Sequence, residues 1–217
     1  MAKPARPRPE ARARNPEATK RRILAAALAE FSAKGISGAR VDRIAARART
    51  NKRMLYHYFG SKESLYRAVL QQRLAERVPA SAEIGLDESE RLRQLHARQS
   101  STRDYVRLLM WEALERGGRA TVESEETRRA HLAAMVEAAR ARQADGRLPA
   151  DLDPTQLVLT ELAVTIFPFA FPQIVRMLTD RRTDDPAFIT ERAAFLGDLG
   201  RLLDPRAGSA RRARAAL

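Results

Sequence analysis

The sequence predicts an all-α chain in two parts: a small three-helix module with helix-turn-helix geometry, then a larger helical domain. Three observations carry that prediction. Apolar residues recur at three- and four-residue steps almost throughout, Gly and Pro fall between the periodic segments, and no convincing strand appears.

The first helix is expected from Pro16 to about Lys34, where Gly35 stops it. Its apolar residues Ile23, Leu24, Ala27, Leu28 and Phe31 form one stripe. A second, short helix spans about Arg40–Ala48, with Val41, Ile44, Ala45 and Ala48 on one side. After a break at Arg49–Thr50 a third runs over about Asn51–Tyr58. Ser61 is a good N-cap for a fourth helix, which carries Tyr66, Leu70, Leu74 and Val78 at four-residue steps and stops at Pro79. Further helices are predicted over Asp87–Gln99, Thr102–Glu115, Glu123–Ala144 and Asp153–Phe167. Pro168 and Pro172 are expected to break the last of these, with a further piece to about Thr179 and a closing helix over Pro186–Leu203. The domain reading follows: a disordered basic arm (1–14), a helix-turn-helix domain (15–60) with a connecting helix (61–78), a larger domain (79–204) and a second basic tail (205–217).

Charge is distributed unevenly. The 217-residue chain has a net charge of +13, yet residues 1–60 hold 15 Lys/Arg against 4 Asp/Glu, and the remainder is nearly balanced. A basic first quarter on a near-neutral body points to a polyanion bound at one end. There is no cysteine, which excludes disulfides, thiolate metal sites and thiol catalysis. No segment offers the roughly 18 apolar residues of a membrane span, and the basic N-terminus lacks the apolar core of a secretory signal. No membrane partner and a cytoplasmic location are expected.

The two short helices, braced by the longer first one, describe a helix-turn-helix. Val41, Ile44, Ala45, Ala48 and Leu55 would form its core. Asn51, Lys52, Arg53, Met54, Tyr56 and His57 would then face outward, able to reach phosphates and base edges. A solvated helix face usually mixes in carboxylates, yet none occurs between Asp42 and Glu63.

The stretch "VDRIAARARTNKRMLYHYFGSKESLY" resembles the DNA-binding signature of the TetR/AcrR transcriptional regulators: a V-x-x-I-A-x-x-A helix, a turn, a recognition helix ending in Y-x-x-F, then S-K-E-x-L. The resemblance covers about residues 17–78. It implies a homodimer that binds a palindromic double-stranded DNA operator, represses transcription and lets go when a small-molecule inducer occupies the larger domain. By position it assigns phosphate and base contacts to Arg40 and Arg43, base reading to Lys52, Arg53 and Met54, and DNA-backbone contacts to Asn51, Tyr56 and His57. Lys62 matches the family's phosphate-contacting lysine. Arg49 stands where the family usually has Gly.

Tyr58, Phe59 and Leu65 are expected in the core. In the larger domain Tyr105, Trp111, Met135, Glu161, Thr165 and Phe167 are candidates to line a ligand pocket. Each apolar one is equally an ordinary core residue, and the buried polar ones need partners in a ligand or across a dimer interface. By family analogy Ile189, Leu196, Leu199 and Leu203 are expected along a dimer seam. The three histidines have no metal-ligand spacing and no nucleophile motif is present, so no metal, no cofactor and no catalysis are expected. Glu112, Glu161 and His131 would be the groups to inspect in an enzyme. The other DNA-binding reading is a sequence-tolerant architectural protein without an inducer.

Overall fold

A computed structural model describes residues 15–76, 85–117 and 122–206 of the chain. The predicted arm (1–14), the helix end at Val78 and its stop at Pro79, Gly118 and residues 207–217 of the tail lie outside them. The described residues form ten helices and no strand: α1 (Pro16–Gly38), α2 (Val41–Arg47), α3 (Lys52–Phe59), α4 (Lys62–Ala75), α5 (Glu88–Ser101), α6 (Arg103–Arg116), α7 (Glu125–Ala144), α8 (Pro154–Ala170), α9 (Pro172–Thr179) and α10 (Pro186–Leu203). The chain divides into two compact units, residues 1–69 and 70–217.

Helix starts follow local chemistry. Asn15, Asp87, Asp153 and Asp185 each accept backbone N–H groups of the first turn, satisfying donors that a helix end leaves orphaned. In α1 the helical backbone breaks at Gly35, whose φ of 67° suits a residue without Cβ.

The first unit closes around Ile23, Ala27 and Phe31 of α1, Ile44 of α2, Leu55 of α3 and Leu65 of α4, all fully buried. Leu55 is the one buried residue of α3, so this side chain fixes how that eight-residue helix sits. Burial of such a leucine stabilises by roughly 1.5–3 kcal/mol. Phe31 meets Tyr66 edge-to-face with centroids 5.2 Å apart. Tyr58 and Phe59, expected in the core, are only half-buried; Tyr58 packs below the Lys20 ammonium instead.

In the second unit α10 lies closely along α5. A Cβ placed at Gly200 would stand 2.6 Å from the Glu88 carbonyl carbon and 2.7 Å from the Ser89 nitrogen, and one at Gly197 would strike the Arg93 side chain. These two glycines one turn apart let the helices approach. Leu196 is fully buried there with Leu92 and Leu95, and Leu199 and Val164 pack against them. Leu203 joins a second cluster with Ala139, Leu148, Leu157 and Val158. The predicted seam is thus corrected at Leu196, which is fully buried within its own subunit, whereas Ile189, Leu199 and Leu203 are half-buried. The exposed apolar residues of α10 are Phe195 and Leu202; α8 exposes Leu159 and Phe167.

A second correction concerns Pro168. The helix continues through it to Ala170 and bends away only at Phe171. Pro168 has no N–H to give the Val164 carbonyl one turn earlier, an interruption that ordinarily costs a helix about 3 kcal/mol. The Arg192 guanidinium donates to that carbonyl at 3.0 Å and restores its partner.

The polar residues of α8 also have in-chain partners. Glu161 is buried and takes the guanidinium groups of both Arg91 and Arg142, the latter at 3.4 Å. Those arginines also hold Glu88 at 3.0 and 2.9 Å. Two buried cations thus balance two buried anions and tie α5, α7 and α8 together. Thr165, fully buried, donates to the Glu161 carbonyl at 2.7 Å, and Thr160 donates to the Gln156 carbonyl. One oxygen of each buried carboxylate, Glu88 Oε1 and Glu161 Oε2, is left without a hydrogen-bond partner among the described residues.

Among the described residues no single helix is long and apolar enough to cross a membrane; α8 and α9 reach that composition only jointly and are bent by 81°.

Candidate nucleic-acid interface

The two helices of the motif are joined by a tight turn. The Arg49 N–H donates to the Ala46 carbonyl and the Thr50 N–H to the Ala45 carbonyl, at 3.1 and 3.0 Å. Arg49 adopts φ 52°, a left-handed conformation that costs a residue with a Cβ about 1 kcal/mol or more. Asn51 then caps α3, its side-chain oxygen accepting from the Met54 N–H at 2.8 Å. Sequence reasoning gave Asn51 to the DNA backbone; its oxygen is instead engaged in starting the recognition helix.

With Leu55 turned inward, α3 exposes Lys52, Arg53, Tyr56 and His57, while Met54 is half-buried. This short helix shares its two faces between neighbouring positions. Lys52 pairs with Asp42 at 3.3 Å, so one of the two expected base-reading cations has a carboxylate in attendance. Arg40, Arg43 and Arg53 are exposed, and so are Arg47 and Arg49, which the sequence reading did not assign to DNA. Among the described residues none of these five guanidinium groups has an ion pair or hydrogen bond. The second unit differs: Arg73, Arg91, Arg128, Arg142 and Arg181, among others, are each matched to a carboxylate. The signal for Arg47 was available as the carboxylate-free run from residue 43 to residue 62.

Lys62 reaches back from α4. Its ammonium donates to the Ala39 carbonyl at 3.2 Å and the Ser37 carbonyl at 3.5 Å, clamping the segment that leads into α2. Beside it a groove of about 490 Å³ is lined by Arg40, Asp42, Lys52, Tyr56, Ser61, Lys62 and Glu63. Its own backbone N–H and the Ser61 hydroxyl hold the exposed Glu63 carboxyl below its usual pKa, so it stays ionised. The groove combines three cations and a phenol, groups that suit a phosphate.

The candidate ligand residues are distributed through the second unit. Tyr105 is buried in α6, Trp111 is half-buried one helix turn and more along it, and Met135 packs against the Ala139–Leu148 cluster. Phe167 is 43% exposed and tilts against Phe171, their centroids 5.3 Å apart. Glu161 and Thr165 are joined directly, the Thr165 hydroxyl donating to the Glu161 carbonyl. Sequence reasoning passed over His96, fully buried and stacked on Phe169 at 5.5 Å. Burial, with Arg192 and Arg103 nearby, pushes its pKa down to about 4, so the ring is neutral at ordinary pH.

The enzyme candidates have other employment or lie apart. Glu112 is held by Arg128 at 2.5 Å, and Glu161 belongs to the buried quartet. His131 stands half-buried on α7. Among the described residues no group of three or more His, Asp or Glu could hold a metal ion.

A capped recognition helix behind a closed turn, with unpaired arginines on and around it, defines the class: a helix-turn-helix DNA-binding protein. Comparison with known proteins agrees. Residues 23–69 match the family of bacterial regulatory proteins of the tetR type, and residues 87–196 match the tetracyclin repressor-like C-terminal domain. The HTH-type transcriptional repressor SCO4008 of Streptomyces coelicolor is 38% identical over 170 residues, covering 76% of this chain and 86% of that protein. The solved transcriptional regulator SCO4942, also from Streptomyces coelicolor, superposes with a TM-score of 0.69 at 31% identity, covering 87% of this chain and 99% of that one. AibR, solved with isovaleryl coenzyme A and operator DNA, shares the fold (TM-score 0.60, 20% identity, 86% and 98% covered).

The chain belongs to the TetR family. It is a DNA-binding transcriptional regulator.

Proposed function

We propose that this regulator is a homodimeric repressor that holds a palindromic operator through α3 of each subunit and releases it when a small molecule enters the second unit. The observation that carries the reading is the set of exposed, unpaired arginines around α3 in a chain whose other arginines are so widely matched to carboxylates. Leaving guanidinium groups unmatched on one face favours a polyanion there. Lys52, Arg53 and Met54 read bases; Arg40, Tyr56 and Lys62 hold phosphates along the groove beside α4, and Arg43 and His57 hold phosphates outside it. Asn51 acts by starting α3. A protein working on the chromosome operates in the cytoplasm.

For the dimer, the half-buried Ile189, Leu199 and Leu203 stay candidates, and uncovered side chains extend the face. Phe195 and Leu202 of α10 with Leu159 of α8 are large apolar side chains left uncovered on these two helices, and a second copy is the occupant the family provides. Two recognition helices would then meet successive major grooves about 34–36 Å apart. A ligand that alters this spacing needs only a modest coupling, about 1–3 kcal/mol, to weaken binding roughly 5- to 150-fold. The inducer is recognised in the second unit, where Tyr105, Trp111, Met135 and Phe167 remain the candidate apolar lining.

Selection of bound fragments from random DNA, repeated with a metabolite library present, tests the reading. One palindrome enriched, and lost on adding one class of compound, is the expected result. Lys52→Ala and Arg53→Ala should abolish its enrichment while the dimer persists. Enrichment of nothing, with a steep salt dependence on any DNA, would instead identify an architectural binder.

A further inference from the structure

Arg49 presents a contradiction that the fold does not resolve. Its backbone holds φ 52°, a conformation glycine enters freely and arginine does not. The turn it occupies is closed by backbone hydrogen bonds alone, from Arg49 to Ala46 and from Thr50 to Ala45, which any residue could make. Its side chain is exposed and, among the described residues, has no hydrogen bond, ion pair or ring contact. So the side chain returns nothing to the protein for the strain it imposes. Such strain persists where function requires the residue.

Its neighbours say what that function is. Arg49 sits between the exposed, unpaired Arg47 and the N-cap Asn51 of α3, on a run without carboxylates from residue 43 to residue 62. Exposed cations crowded at one turn repel each other unless a polyanion joins them. We propose that Arg49 is a DNA-backbone contact, placing one guanidinium on a phosphate beside each recognition helix, and that the strained turn is retained for it. A phosphate contact carries no sequence information, so Arg49 strengthens binding to every duplex alike. The proposal rests on α3 being the DNA-reading helix.

The experiment compares the full-length protein with Arg49→Gly, Arg49→Lys and, as a control, Arg53→Ala, titrated over a range of salt onto the palindrome recovered from random DNA and onto a mixed-sequence duplex of the same length. Thermal unfolding of each is recorded alongside. With Arg49→Gly the slope of log affinity against log salt should become shallower by about 0.9 per subunit, one phosphate's share. Its affinity at low salt should fall several-fold and its Tm should stay the same or rise, because glycine relieves the turn. Arg49→Lys should keep the slope. Wild-type affinity and slope in Arg49→Gly would overturn the proposal, as would a loss of binding accompanied by a lower Tm, which would make Arg49 a structural residue. If Arg53→Ala weakens binding while Arg49→Gly does not, only the role of Arg49 falls. If neither variant weakens binding, the reading face itself is wrong.

Discussion

The Lys52 ammonium stands 3.3 Å from the Asp42 carboxylate, across the groove between the start of α2 and the start of α3, with both side chains more than half exposed. An exposed pair of this kind adds little to stability, at most about 1 kcal/mol. Its effect should fall on recognition, because the carboxylate shares a surface with a cation proposed to read bases.

Removing that carboxylate should therefore tighten binding. Asp42→Asn is expected to raise affinity for any duplex by about threefold to tenfold, the equivalent of one nearby charge in water, and to leave stability within about 0.5 kcal/mol. Fluorescence anisotropy on operator and mixed-sequence duplexes checks this, and a weaker complex would show that Asp42 positions Lys52 for its base.

Asn51 separates folding from binding in a similar way. Asn51→Ala removes the cap on Met54 and should cost about 1 kcal/mol of stability. Asn51→Asp keeps a capping oxygen and so keeps stability, but it puts an anion on the reading face and should weaken DNA binding. Thermal unfolding and anisotropy on the two variants should give opposite patterns.

The buried quartet should respond sharply to losing one member. Arg142→Met leaves Glu88 and Glu161 with a single buried guanidinium, and the expected loss is about 3–5 kcal/mol, read as a lower urea midpoint. High salt should not imitate this, because buried pairs are screened far less than surface ones.

His96 sets a limit on the acid side. Its folded pKa, about 4, lies below the ordinary histidine value, so the unfolded chain binds the proton first. The contribution is intact above about pH 6.5, and stability falls as pH drops from there toward 4. His96→Leu should flatten that part of the profile of Tm against pH. An unchanged slope would assign the acid sensitivity to other groups.

The two faces of α10 should give different phenotypes. Phe195→Glu with Leu202→Glu is expected to yield folded monomers in sedimentation velocity and to abolish operator binding. Leu196→Ala should cost about 2–5 kcal/mol of subunit stability through the cavity it leaves, with the dimer retained. Reversal of the pattern would restore Leu196 to the seam.

The same helix shows where sequence reading succeeds and where it stops. Helix starts at Pro16, Glu88, Pro154 and Pro186 were legible because a capping Asn or Asp acts within three residues. The helix-turn-helix was legible for the same reason: its core pattern, its cap and its cations all lie within some twenty residues. Leu196 was given to a second subunit although Leu92 and Leu95 of α5 cover it, because an apolar stripe has the same spacing in either case. Glu161 was recognised as needing partners, but Arg91 stands 70 positions away and no local pattern points to it. Pro168 reads as a helix breaker until Arg192, on another helix, is seen beside the Val164 carbonyl.

Gly200 inverts the usual order of what a protein can spare. Two large apolar side chains on α10, Phe195 and Leu202, are more than half exposed, while Gly200 admits not even a methyl group against the Glu88 backbone. Sequence drift can therefore rewrite the outer face of α10 freely and the inner face hardly at all. When such a gene duplicates, the two products can cease to pair with one another while both still fold, so self-recognition in these regulators can diverge faster than their architecture.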